Sequence, residues 1–271
     1  MKISFIGGGN MADALIGGLL RKGFANTDLR AVEIDRVARE KLQQKYGVVC
    51  AERIGAVSDD EIILFAVKPQ QMREVAQGLE LTVNANLVIS IAAGIALASL
   101  SRWLGAHRRL IRAMPNMPAL IGEGVSGLCA LDNGVVTEED RNRAETILRA
   151  VGSIVWIENE AQMDVVTAVS GSGPAYVFYF IEAVEDAARG LGMSMETARK
   201  LTLDTFSGAT RLAAASVDPV AVLRERVTSK GGTTEAAFAS MATDHVKEAI
   251  IRAIFAANER GRELGERQDK D

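Results

Sequence analysis

The first part of the chain alternates short, nearly continuous apolar runs with longer stretches in which apolar residues return every three or four positions. The last part carries only the second pattern. Runs at 3–6, 29–32, 61–67, 87–91, 109–113, 124–131 and 153–157 read as strands. Unbroken apolarity, as in EIILFAV at 61–67, is what a parallel sheet covered on both faces requires. The stretches 11–21, 36–46, 70–79, 97–104 and 138–151 read as the helices between them, with Val37, Leu42 and Tyr46 of the second turned toward the sheet. Thr137 followed by Asp140 fits an N-cap with acidic residues in the first helical turn. This βα alternation predicts an α/β fold with a doubly wound sheet.

From about residue 160 the strand signals stop and an Ala-rich helical periodicity continues to the end, which divides the chain into residues 1–159 and 160–271. Ser170-Gly171-Ser172-Gly173-Pro174 reads as an interruption, followed by a helix over 175–189 with Val177, Ile181 and Val184 on one face. Further helices are expected near 195–215 and 219–227, then one long helix over 235–264 and a charged, frayed tail at 265–271. Small residues such as Ala213, Ala214, Ala236 and Ala237 allow close packing but bury little area each. This half is therefore expected to complete its core against a second subunit.

The length of 271 residues suits about two domains, and 48% hydrophobic residues suffice for a substantial core. A formal charge of −4, without basic clusters interleaved with aromatics, gives no footing for nucleic acid or an anionic membrane. No apolar run approaches spanning length and the first strand starts at the N-terminus, so no membrane segment or leader is expected and the cytoplasm is the expected location. Cys50 and Cys129 stand outside any C-x-x-C, and His107 and His245 are the only histidines. Neither a disulfide framework, a metal site nor a Ser-His-Asp triad is expected.

Two stretches carry chemistry. In the first, Gly7, Gly9 and Ala12 occupy the small positions of a G-x-G-x-x-G/A dinucleotide fingerprint, after a strand and before a helix. Gly7 serves the tight turn, Gly9 the approach of a pyrophosphate, and Ala12 the close seating of the helix. Glu33 closes the second strand where an acid would bond the ribose of NAD. Arg36 and Arg53 are placed to meet the extra phosphate of NADP, so both cofactors stay open. Ala66-Val67-Lys68-Pro69 ends the third apolar run, putting Lys68 at the carboxyl edge of the sheet. Asn116, between Pro115 and Met117-Pro118, would hold its amide in a fixed direction near a nicotinamide.

In the second stretch, VTSKGGTT at 227–234, Thr228, Ser229, Thr233 and Thr234 surround Gly231-Gly232 ahead of a helix. Free backbone N–H groups and hydroxyls there make a nest suited to a small carboxylate.

With GGGNMA at 7–12, AVKP at 66–69, MPNMP at 114–118, SGSGPAY at 170–176 and VTSKGGTT, the chain resembles the pyrroline-5-carboxylate reductases from end to end. The resemblance implies NAD(P)H-dependent reduction of 1-pyrroline-5-carboxylate to L-proline, the last step of proline biosynthesis. It also implies a Rossmann-type domain followed by an all-α dimerisation domain, and dimers that often assemble further. Gly7, Gly8, Gly9, Asn10 and Met11 would lie at the pyrophosphate, Ala66, Val67, Lys68 and Pro69 along the cofactor, and Asn116 by the nicotinamide. Thr228, Ser229, Gly231, Gly232, Thr233 and Thr234 would hold the substrate. Within that set, Thr234 matches the threonine proposed to bond the imine nitrogen, and Ser229 stands with it as a catalytic candidate. Many relatives carry small or polar residues where this chain has Glu33-Ile34-Asp35, which leaves the choice between NADH and NADPH open. A 3-hydroxyacid dehydrogenase shares the two-part plan, but residues 172–188 contain neither Lys nor His. A nucleotide-sensing module is the non-catalytic alternative, and the intact hydroxyl-glycine stretch disfavours it.

Overall fold

A computed structural model describes residues 1–83, 85–132 and 134–270. It divides into two compact units, one formed by Met1–Ser172 with the chain from Ala257 onward, the other by Gly173–Ala256.

In the first unit the strands are β1 (Ile3–Ile6), β2 (Leu29–Val32), β3 (Val49–Ala51), β4 (Ile62–Phe65), β5 (Val88–Ser90), β6 (Leu110–Met114), β7 (Gly124–Ala130) and β8 (Gly152–Trp156). They form one sheet in the order β3-β2-β1-β4-β5-β6-β7-β8. The first six are parallel in the doubly wound order, so the chain reverses direction across the sheet between β1 and β4. β7 runs antiparallel to β6 and parallel to β8. The 115–123 connection holds only a short 3-10 turn at Met117–Ile121, too little for the crossover that a parallel neighbour needs.

The helices α1 (Asn10–Arg21), α2 (Arg36–Tyr46), α3 (Met72–Leu79), α4 (Leu97–Trp103) and α5 (Glu138–Arg149) follow their strands as the periodicity predicts. Alternate strand residues feed two cores. Ile3, Phe5, Ile62 and Leu64 pack with Leu15, Ile16 and Leu19 of α1 on one face, and Ile6, Ile63 and Phe65 pack with Met72 and Ala76 of α3 on the other. Burial on both faces is why these strands read as unbroken apolar runs. α5 opens with a capping box between Thr137 and Asp140.

Several expectations are corrected. β3 is an additional strand; at three residues it is too short to show a period. Val37 is 73% exposed and does not face the sheet, whereas Leu42 is buried and Tyr46 packs against the core. After α6 (Met163–Val166) the Gly-Ser stretch is not a break, because Thr167–Gly171 winds as a π-helix into α7 (Gly173–Gly190), with the Ser172 N–H donating to the Thr167 carbonyl at 2.8 Å.

The second unit contains most of α7, then α8 (Met195–Ala215), α9 (Val220–Arg226), α10 (Thr233–Thr243) and the first part of α11 (Val246–Lys270). The single long helix expected over 235–264 is two helices, divided at His245, whose φ of 51° leaves the helical region. α11 then continues through the tail expected to fray; Asp271 lies outside the described residues. Among the described residues of this unit only Ala198 and Thr202 are buried, while Phe178, Tyr179, Leu212 and Phe255 are exposed. No helix among the described residues is long and apolar enough to cross a membrane.

Candidate active site

The glycine turn joins β1 to α1. Gly7 has φ of 104°, and a Cβ there would lie 2.7 Å from the Ala66 carbonyl oxygen, so the position admits only glycine without distortion. Gly9 is the N-cap of α1, no side chain caps that helix end, and a Cβ at Gly9 would meet open space. The first-turn N–H groups therefore face an uncluttered approach, with the positive end of the helix dipole behind them. The acid in that first turn, Asp13, is paired with Lys45 at 2.7 Å. That hydrogen bond holds the Lys45 amine above its ordinary value and neutralises a charge that would oppose an anion. Ala12 is fully buried, which seats α1 against the sheet.

A cleft of about 650 Å³ runs from this turn along the carboxyl ends of β1, β2 and β4. Its lining includes Gly7, Gly8, Gly9, Glu33, Arg53, Ala66, Val67 and Lys68. Asn10, Met11, Arg36, Pro69 and Asn116, the other cofactor candidates, are not among the lining residues. Glu33 spans the turn: its Oε2 accepts the Gly8 N–H at 2.7 Å and its Oε1 the Asp35 N–H at 2.8 Å. Arg36 points outward and pairs with Glu40 at 2.7 Å. Asn116 is buried and its amide is used at both ends, Nδ2 donating to the Ser170 carbonyl at 3.1 Å and Oδ1 accepting the Val125 N–H at 2.9 Å. It thus ties the π-turn to the start of β7. The lining also takes in Asp35, named in the sequence only as part of Glu33-Ile34-Asp35, and Glu52, Gln71 and Thr82, which no sequence motif marks. Of these only Asp35 carried a signal, an acid immediately before a helix; it caps α2 by accepting the Ala38 N–H at 2.7 Å.

An uncapped helix end, a glycine turn with room before it and a cleft at the topological switch point are what a dinucleotide requires, and these residues fit one. No group of three or more His, Cys, Asp or Glu suited to a metal ion occurs among the described residues.

The second chemical stretch lies in the helical unit. Gly231 has φ of 73°, the Gly232 N–H donates to the Ser229 carbonyl at 3.0 Å, and α10 starts at Thr233 without a side-chain cap. Glu235 reaches back to accept the Gly231 N–H at 2.6 Å. The Thr228 hydroxyl donates to the Arg224 carbonyl at 2.7 Å and is used on the last turn of α9. Ser229 and Thr233 are exposed and Thr234 half-buried, so the loop presents hydroxyls beside the free N–H groups of the α10 start.

The model of the pyrroline-5-carboxylate reductase dimerisation family matches residues 160–264, and that of the coenzyme F420-dependent NADP oxidoreductase family matches residues 2–94. A pyrroline-5-carboxylate reductase of Pseudomonas aeruginosa is 44% identical over 267 residues, covering 98% of this chain and 97% of that one. This chain belongs to the pyrroline-5-carboxylate reductase family. A structure of the Coxiella burnetii pyrroline-5-carboxylate reductase superposes with a TM-score of 0.88 at 38% identity, covering 97% of this chain and 98% of that one. The Plasmodium falciparum pyrroline carboxylate reductase, solved with NADP bound, gives a TM-score of 0.86 at 29% identity, covering 98% of each chain. The reductase fold and the two-part plan expected from sequence therefore hold for this chain.

Proposed function

We propose that this chain reduces 1-pyrroline-5-carboxylate to L-proline with NADH or NADPH, as a homodimer in the cytoplasm. In this reading residues 1–159 form the dinucleotide domain and residues 160–271 the helical dimerisation and substrate domain. The observation that carries it is the cleft at the uncapped start of α1, in a chain whose whole length matches reductases of this substrate. The reduced nicotinamide, when bound, supplies the hydride. The free N–H groups of Gly9, Asn10 and Met11 hold the pyrophosphate, and Gly8, Ala66, Val67, Lys68 and Pro69 border the dinucleotide. Asn116, locked at both ends of its amide, fixes the loop beside the nicotinamide.

The loop from Thr228 to Thr234 anchors the substrate carboxylate with the free N–H groups at the start of α10 and the hydroxyls of Ser229 and Thr233. So small a substrate offers little else to grip, and fixing its carboxylate orients the ring for attack at the C=N carbon. The C=N π pair moves onto nitrogen as the carbon accepts hydride, and nitrogen keeps or gains one proton. The Thr234 hydroxyl hydrogen-bonds to the lone pair that develops on that nitrogen, and supplies the proton where the imine arrives unprotonated; Ser229 is the second hydroxyl candidate. Neither histidine is needed, in keeping with a chain in which His107 is buried and His245 lies at a helix break.

Initial rates of loss of reduced nicotinamide, with and without 1-pyrroline-5-carboxylate, test this reading. Substrate-dependent oxidation is expected with both NADH and NADPH. Oxidation of a 3-hydroxyacid by NAD⁺ or NADP⁺ at a higher rate, or binding without turnover, would replace it.

A further inference from the structure

Building on the cleft as a dinucleotide site, we infer that the end of β2 rejects a phosphate on the adenosine ribose, so that the enzyme prefers NADH to NADPH, and that Glu33 decides this. Glu33 is the first residue beyond β2 and lines the cleft. Both of its carboxylate oxygens are pinned by backbone donors, Gly8 at 2.7 Å and Asp35 at 2.8 Å. A side chain held at both oxygens does not swing aside to admit an anion. Each oxygen still has a lone pair for a hydroxyl donor, so a ribose diol is suited and a phosphate, which offers only acceptors when ionised, is not.

The neighbouring groups point the same way. The start of α2 is the nearest helix end that would attract a phosphate, and the Asp35 carboxylate already occupies it by accepting the Ala38 N–H at 2.7 Å. Arg36, the first cation after the strand, lies outside the lining and its side chain is 81% exposed, paired with Glu40. Arg39 donates to the backbone carbonyls of Glu33 at 2.5 Å and Ile34 at 3.3 Å and lies 4.0 Å from Glu52. Of the residues that follow β2 and β3 in the lining, Glu33, Asp35 and Glu52 are acidic and Arg53 is basic. A ribose phosphate carrying about −1.5 to −2 charge would meet a fixed carboxylate, with Arg53 the one cation among these residues to offset it.

The test is a direct titration of the purified protein with NADH and with NADPH, read by the emission of the bound nicotinamide, at low and high salt. The expected result is an NADH Kd about tenfold or more below that of NADPH, with the gap narrowing as salt screens the repulsion. Glu33→Gln keeps the size and one acceptor but removes the charge, and should cut the preference severalfold by weakening NADH binding and tightening that of NADPH. Glu33→Ser should reduce the preference further, with the melting temperature showing whether the turn survives the loss of the Gly8 contact. Equal or tighter binding of NADPH by the wild-type protein would overturn the inference and leave the dinucleotide site standing. An unchanged ratio in both variants would remove Glu33 as its cause. Binding of neither cofactor would instead overturn the reading of the cleft itself.

Discussion

Gly7 shows how a single residue sets the site. Its positive φ and the Ala66 carbonyl 2.7 Å from where a Cβ would stand leave no room for a side chain. Gly7→Ala is expected to displace the turn from the end of β4 and weaken binding of either cofactor by about tenfold or more, as measured by titration. Thr234→Val tests the other chemical stretch. It removes one hydroxyl from a half-buried position and keeps the shape, so kcat should fall by about tenfold to a hundredfold while the cofactor Kd stays the same. An unchanged kcat would take Thr234 out of the reaction. These positions were legible in the sequence because each is a residue type with one conspicuous use: glycine in a fingerprint, hydroxyls crowded before a helix. The internal bonds of Asn116 and the pinning of Glu33 were not, since each depends on a partner brought close only by the fold, Ser170 for one and Gly8 for the other.

At the scale of elements, α5 is held by a buried ion pair as well as by its capping box. The fully buried Asp140 carboxylate accepts two hydrogen bonds from Arg109, at 2.9 and 2.6 Å, and one from the Thr137 N–H at 3.1 Å. Burial alone would raise the Asp140 carboxyl, but Arg109 and Thr137 outweigh it and hold it below the ordinary carboxylate range. A carboxyl depressed in the folded state stabilises the fold above its unfolded value of about 3.9, and that contribution is lost as pH falls through the folded-state value. Asp140→Asn should therefore cost about 2–4 kcal/mol near neutral pH by denaturant unfolding, and the gap from wild type should shrink progressively below about pH 4. A gap independent of pH would contradict the ion-pair account. The strands of the parallel core and the helices between them were legible because burial on two faces or on one stripe imposes a period. β3 was not, being three residues at the sheet edge, and the α10–α11 division was not, because neither glycine nor proline marks the turn at His245. Glycines at 171 and 173 misled in the opposite sense: they read as a break, yet the backbone there stays helical through a π-turn.

For the whole molecule, the helical unit leaves the argument for a dimer in plain view. Phe178 and Phe255 are 55% and 69% exposed in a unit with almost nothing buried, which is the surface of a core completed by another chain. An aspartate at a merely solvated position changes stability by about 0.5 kcal/mol or less. Phe178→Asp combined with Phe255→Asp should instead move the protein from dimer to monomer in sedimentation velocity at micromolar concentration; a variant as dimeric as wild type would place the interface elsewhere. Reduction of the cyclic imine is tested most directly by product analysis. The protein incubated with 1-pyrroline-5-carboxylate and reduced nicotinamide should form one L-proline for each nicotinamide oxidised. Nicotinamide bound but not oxidised, or oxidised without proline appearing, would contradict it.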